Sequence, residues 1–301
     1  MFGCPPKANN VRSPLEKGDH PKLDNSELLD TVGIQQYQSL IGALQWAILI
    51  GRFDIQVAVM TMLSFKAAPR QGHLDRLRRI YGYINQMKNL RLAFRTDMPD
   101  LSGAPQRVFD WSESVHSRTE EPVPKDTPKP LGKPVVTVSY VDANQMHDVL
   151  TGKSVTGILH FINKTPFNWY AKKQSTVETA SFGSDIVARR TAVEQIIGNR
   201  DTLRYMGVPV EHTAYLFGDN NSVVDSATLP TGKLHKGHNI LSYHKVRQVI
   251  LEGWLQFIHI VGRSNPANVL SKHWGYSCVW HLLRPLMHIQ KDATDVVFCD
   301  A

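Results

Sequence analysis

The sequence predicts an α/β domain with a mixed five-stranded sheet, preceded by a small helical bundle. Three observations lead there. Apolar residues recur at helical spacing between positions 34 and 87. From position 135 onward short apolar alternations, spaced as strands, are interleaved with helical patterns. Between the two, positions 98–134 hold seven of the 17 prolines, a composition that favours extended backbone and cannot sustain a helix.

Taken in order, residues 1–30 form a polar arm broken by Pro5, Pro6, Pro14 and Pro21. Residues 31–97 form the helical segment. Tyr37, Leu40, Ile41, Leu44 and Ala47 mark a first helix; Ile55, Val57, Ala58, Met60, Met62 and Leu63 a second; Leu74, Leu77, Ile80, Tyr81, Ile84 and Met87 a third. Arg76, Arg78 and Arg79 are expected among the outward residues of the third, with Pro69 and Gly72 punctuating its start. Residues 98–134 are the Pro-rich linker. In 135–274 a strand through Val136, Val138 and Tyr140 ends near Asp142, and strands at 155–162 and 167–171 join through Asn163, Lys164 and Pro166. A helix is expected from Thr176 to about Ile197, a strand at 213–217, a helix at 242–251, a strand at 255–260 and a short helix near Pro266. With its first three strands antiparallel, that order gives a mixed sheet. Residues 275–301 form a C-terminal tail.

Composition narrows the function. The 301 residues carry 34 Lys and Arg against 27 Asp and Glu. Residues 31–97 hold nine basic and three acidic groups (net +6), and residues 135–274 hold 14 and ten (net +4). Localised positive charge suits a polyanion such as nucleic acid, and equally suits a plain solvated surface. Three cysteines with no CxxC pair exclude a disulfide scaffold and a cysteine zinc site. His235, His238 and His244 lack a cysteine or carboxylate to complete a zinc set. The most apolar run, Leu40 to Ile50, is shorter than the roughly 20 residues a bilayer requires. No signal peptide is visible, so the expectation is a soluble intracellular chain, cytoplasmic or nuclear, without a membrane partner.

Three acidic residues fall where an α/β sheet gathers its sites: Asp142 closing the first strand, Asp185 on the long helix and Asp219 closing the fourth strand. Converging carboxylates repel unless a cation neutralises them, and oxygen ligands suit Mg²⁺. The same residues also fit plainer roles, Asp142 as a strand-to-turn residue and the Asp219-Asn220 pair as a loop and helix cap.

Their neighbours carry a resemblance. Val138-Ser139-Tyr140-Val141-Asp142-Ala143, Ser154-Val155-Thr156-Gly157 and Asn168-Trp169-Tyr170-Ala171-Lys172-Lys173-Gln174-Ser175-Thr176-Val177 come first. Gly218-Asp219-Asn220-Asn221-Ser222, His235-Lys236-Gly237-His238, Tyr243-His244-Lys245-Val246-Arg247 and Asn265-Pro266-Ala267-Asn268-Val269-Leu270-Ser271-Lys272 follow. In this order and spacing they resemble the ribonuclease H domain of copia-type retrotransposon polyproteins. Tyr37-Gln38-Ser39-Leu40-Ile41-Gly42-Ala43-Leu44 and Gly51-Arg52-Phe53-Asp54-Ile55 resemble the segment after the polymerase palm, implying a thumb- or connection-like bundle. The chain has no Asp-Asp dipeptide, and Ala143 stands where a Tyr-x-Asp-Asp box has its second aspartate. A polymerase palm is therefore not expected within it.

The resemblance implies a ribonuclease H-type endonuclease that hydrolyses the RNA strand of RNA–DNA hybrids with two Mg²⁺ ions. It implies Asp142, Asp185 and Asp219 as metal ligands and position 268 as the fourth catalytic position. Two of these positions depart from the family pattern. Asp185 replaces a glutamate and is one methylene shorter, which draws its carboxylate back by about 1.5 Å. Asn268 replaces an aspartate and brings no charge. The second metal site is expected to be weakened and activity lost or strongly reduced, since a misplacement of about 1 Å can cost on the order of 10²-fold. Glu178, seven residues before Asp185 and read as two turns earlier on the same helix, is a candidate substitute as well as a plain surface residue. Trp169, Lys172, Lys173, Gln174, Asn220, Ser222 and His238 are the expected nucleic-acid contacts, Trp169 and the lysines equally readable as a core residue and a basic strand edge. The implied partners are an RNA–DNA hybrid or other nucleic acid and the rest of a retroelement polyprotein. A binding module that has lost cleavage is the alternative function.

Overall fold

A computed structural model describes residues 11–104, 110–111, 121, 123–210, 212–232, 234, 237–273 and 276–289. Two compact units divide the chain between Ala93 and Phe94 and again between Lys272 and His273.

The first unit opens with α1 (Thr31–Leu49), α2 (Gln56–Leu63) and α3 (Gln71–Gln86), followed by the short strand β1 (Leu90–Leu92). The Asp30 carboxylate starts α1 by accepting from the Gly33 amide at 2.7 Å. Tyr37, Ile41, Leu44 and Ile48 then bury one stripe of the helix, spaced at three and four residues. On α3 the buried stripe is His73, Leu74, Leu77, Ile80 and Tyr83. The polar arm packs on α3. Val11 and Leu15 are buried, and the arm's acids meet the helix's arginines: Arg76 binds Asp19 at 2.8 Å and Asp24 at 2.6 Å, and Arg79 binds Glu16 at 2.8 Å. Much of the basic charge read as a polyanion-facing surface is thus matched within the unit, Arg78 by Asp75 on its own helix and Arg52 by Asp54.

The second unit holds the sheet. β2 (Thr137–Asn144), β3 (Val155–Ile162) and β4 (Thr165–Lys173) form an antiparallel meander. Its second turn is the two-residue loop Asn163-Lys164, where Asn163 adopts a positive φ of 55°, the conformation that a tight hairpin turn demands and asparagine tolerates. α4 (Ser181–Tyr205) leads to β5 (Ala214–Gly218), parallel to β2; α5 (Asn221–Thr228) and α6 (Ile240–Leu251) lead to β6 (Leu255–His259), parallel to β5; α7 (Asn268–Ser271) follows. The strand order β4-β3-β2-β5-β6 is the mixed five-stranded sheet that the sequence predicts. Ala188, Ala192, Val193 and Ile196 of α4 and Val246 and Val249 of α6 share one core with Val141, Ile158, Leu216 and Phe257 of the strands. Glu121, from the Pro-rich segment, takes a bidentate ion pair from buried Arg200 of α4 at 3.0 and 3.1 Å.

Past this unit the chain adds α8 (Tyr276–Leu283) and β7 (Met287–Ile289), which pairs antiparallel with β1 in the first unit. No described helix is long and apolar enough to cross a membrane.

Four elements differ from the sequence reading. α4 starts at Ser181 rather than Thr176 and runs to Tyr205. Ser175, Thr176, Val177 and Thr179 are weak helix formers, and the buried side chains of Gln174 and Glu178 hold the approach in another conformation. α5 has no apolar stripe in the sequence reading, and only the Asp219-Asn220 pair, as a loop and helix cap, points to it; Asn220 is its N-cap residue. β1 and β7 are three residues each and pair across about 200 positions of sequence, which no local pattern reports.

Candidate active site

The site is assembled by the ends of β2 and β5, the first turns of α4, and α7. Asp142 lies on β2, opposite Gly157 of β3. A Cβ at position 157 would stand 2.8 Å from the Ala267 carbonyl oxygen and 2.9 Å from the Ser271 nitrogen. Glycine there lets α7 rest directly on the strand. The Asn265 amide fastens the approach to α7 by donating to the Val141 carbonyl at 2.9 Å. Asn268 therefore arrives buried beside Asp142. Asp185 is buried on α4, and Asp219 follows the last residue of β5, half-buried.

Each polar group has a defined partner. Ser271 Oγ donates to Asp142 Oδ2. The Lys272 ammonium donates to Asp142 Oδ1 at 3.2 Å and stands 3.1 Å from Oδ2. The same ammonium donates to Asn268 Oδ1 at 2.5 Å, while Asn268 Nδ2 donates to the Gly262 carbonyl at 2.6 Å. Asn220 Nδ2 donates to Asp185 Oδ2 at 2.7 Å. Gly262 lies close against Asp219; a Cβ there would stand 3.2 Å from Oδ2.

The electrostatics show three carboxylates sharing one field. Burial pushes Asp185 up to about 6; Arg189 and the Asn220 hydrogen bond oppose the rise, and Asp142 and Asp219 add to it. Asp219 is raised by burial and then by Asp142, with Lys272 and Arg189 pulling it down. Arg189 is fully buried on α4, one turn after Asp185.

The four positions singled out from sequence thus converge on one region of the second unit. The residues as arranged do not fit a pair of divalent ions. Among the described residues no group of three His, Cys, Asp or Glu could hold one ion. The Asp142 carboxylate and the Asn268 carbonyl oxygen are both engaged by the Lys272 ammonium, and a second cation, buried Arg189, is within electrostatic reach of all three carboxylates. Sequence reading missed both cations. Lys272 closes a quoted motif, and Arg189 at i+4 from Asp185 was readable from helical spacing alone.

The expected nucleic-acid contacts divide. Lys172 and Ser222 are exposed, and Trp169 on β4 and Asn220 are partly exposed. Lys173 turns to Asp148, a nearly buried carboxylate, at 2.8 Å. Gln174 is buried and donates to Thr156 Oγ1 at 3.0 Å and to the Ser184 carbonyl at 2.8 Å, so it braces β3 against α4 rather than facing solvent. Glu178 precedes α4 instead of lying on it; its Oε2 accepts from Asn239 at 3.3 Å. His235 and the His238 side chain lie outside the described residues. His244 packs edge-on to Tyr243. Tyr140, of the box-like Tyr-Val-Asp-Ala run, is a packing residue stacked on Phe217 at 5.1 Å.

No family model matches the chain. The retrovirus-related Pol polyprotein from transposon TNT 1-94 of Nicotiana tabacum is 22% identical over 237 residues, covering 78% of this chain and 15% of its own length. Over most of its length, this chain is similar to plant-transposon Pol polyproteins. That from transposon RE1 of Arabidopsis thaliana is 21% identical over 265 residues, 88% of this chain and 16% of its own. The chain therefore spans about 15% of the length of these Pol relatives. Among solved structures, LC11-RNase H1 in complex with an RNA/DNA hybrid is 17% identical, with a TM-score of 0.36 over 45% of this chain and 93% of its own.

Proposed function

We propose that this chain is the thumb-like and ribonuclease H-like portion of a copia-type retroelement Pol protein, which holds an RNA–DNA hybrid and whose cleavage of the RNA strand is strongly reduced. The observation that carries the reading is Asn268, uncharged where the family has an acid and buried beside Asp142, its Oδ1 accepting from the Lys272 ammonium that also binds Asp142. By resemblance Asp142 and Asn268 are the first and fourth catalytic positions, and a lysine bridges them. The ancestral reaction is metal-dependent phosphodiester hydrolysis with Mg²⁺ held by Asp142, Asp185, Asp219 and an acid at 268. Here the fourth charge is gone and the second carboxylate is a methylene short. A complete loss of cleavage, leaving a nucleic-acid-binding module, is the second reading, favoured by the uncharged Asn268.

Binding does not require the carboxylates. A hybrid of A-form character is recognised through its backbone and 2′-hydroxyl groups. Exposed Lys172 on β4 and Ser222 at the start of α5 are suited to backbone contact, and Trp169 offers a partly exposed ring. An intracellular site of action, cytoplasmic or nuclear, goes with this reading.

Fluorescence anisotropy with a labelled RNA–DNA hybrid in EDTA tests the grip. The affinity is expected to fall steeply with salt, and Lys172→Ala to reduce the slope of log K against log salt by about one. No binding at low salt would reject the proposal.

A further inference from the structure

Arg189 and Arg200 lie on the same helix, and both are buried to 1% exposure. Arg200 is matched conventionally, by the Glu121 carboxylate and by the His212 carbonyl at 2.8 Å. Arg189 is not. Among the described residues its Nε and Nη1 have no hydrogen-bond partner. Its guanidinium lies over the Phe257 ring, 4.9 Å from the centroid, and presses on the backbone of Gly218; a Cβ there would stand 2.8 Å from Nη2. A buried cation with two of its nitrogens unbonded is strongly unfavourable unless the field around it is negative.

Three carboxylates lie around it. Asp185 sits one turn earlier on the same face of α4. Gly218, against which the guanidinium packs, is followed directly by Asp219. Gly218 also pairs with Val141, the residue before Asp142. Burial pulls the Arg189 guanidinium down, and three carboxylates oppose it: Asp185 on its own helix, and Asp219 and Asp142, which adjoin the backbone pair that Arg189 packs against. Lys272 reaches Asp142 with its ammonium and takes the Asn268 oxygen as well. Two fixed positive charges stand against three carboxylates.

We propose that Arg189 and Lys272 are built-in counter-cations for the Asp142–Asp185–Asp219 cluster, so that this site folds and keeps its shape without a divalent ion and binds one poorly. Arg189 acts through the carboxylates as a positioning residue. Gly218 is the glycine that gives its guanidinium room.

The test uses the full chain, stripped of metal, titrated with Mn²⁺ and followed by electron paramagnetic resonance, with thermal unfolding in EDTA and in excess Mg²⁺ alongside. The wild type is expected to bind no Mn²⁺ below the millimolar range and to melt at the same temperature in both solutions. Lys272→Met is expected to bind Mn²⁺ at least about tenfold more tightly, since a repelling charge is removed. Arg189→Met is expected to melt lower in EDTA and to recover with Mn²⁺ through ligand linkage, while Arg189→Lys, which keeps the charge, stays insensitive to metal. Should Arg189→Met fail to fold in either solution, the isotherm of Lys272→Met, altered at a half-buried residue, decides alone. Micromolar Mn²⁺ binding by the wild type, or Met variants with the wild-type isotherm, would overturn the proposal. No nucleic acid enters this experiment, so its failure leaves hybrid binding standing, and failure of hybrid binding leaves this inference standing.

Discussion

Gly157 shows how one residue without a side chain can set a site. It lies opposite Asp142, and only hydrogen at its Cα lets the backbone of residues 267–271 settle on β3. Gly157→Ala is therefore expected to cost about 1–3 kcal/mol in urea unfolding, the range for forcing atoms into a packed interior. It should also break the Lys272–Asp142 contact by lifting α7. Unchanged stability would mean that α7 is not seated as described. Asp142, Asp185, Asp219 and Asn268 were legible in the sequence because motif order placed them together. The role of Gly157 was not legible, because the atoms it admits come from a segment 110 positions downstream.

The elements were legible where the apolar period was long. α1 and α3 follow their stripes closely, and all five strands of the sheet lie within two residues of the alternation that predicts them. What escaped was what only tertiary contact determines, such as the late start of α4 and the pairing of β1 with β7. Between sheet and helix sits a further such case, His160 on β3. It is almost wholly buried, with Nδ1 accepting from Ser139 Oγ at 2.8 Å and Nε2 donating to Gln195 Oε1 of α4 at 2.9 Å. Burial pushes its imidazole down to about 4, from an ordinary 6.5. As pH falls below 6.5 the unfolded chain takes up a proton that the folded chain refuses until about 4, so stability is lost through that window. Relative to His160→Gln, which has nothing to titrate there, the wild type is expected to lose about 2 kcal/mol of unfolding free energy between pH 7 and pH 5. A difference that does not vary with pH would show that the imidazole is not held neutral.

At the scale of the whole molecule, charge is the organising quantity. Asp19, Asp24 and Glu16 of the polar arm pair with Arg76 and Arg79 of the third helix within the first unit. Segment totals alone could not reveal that, since they do not say which charges meet. The second unit has a net basic sequence and an acidic cluster held between two cations. That combination is what the proposed function, hybrid binding with reduced cleavage, calls for. The most direct test is cleavage of a labelled RNA–DNA hybrid in Mg²⁺ and in Mn²⁺, by the wild type and by Asp185→Glu combined with Asn268→Asp, with Asp142→Asn as control. Hybrid binding is expected with cleavage at or near background for the wild type, and cleavage at least about 10²-fold faster for the double variant, abolished again by Asp142→Asn. Efficient wild-type cleavage that Asp142→Asn removes would contradict the proposed function, showing that Asp185 and Asn268 serve as they stand.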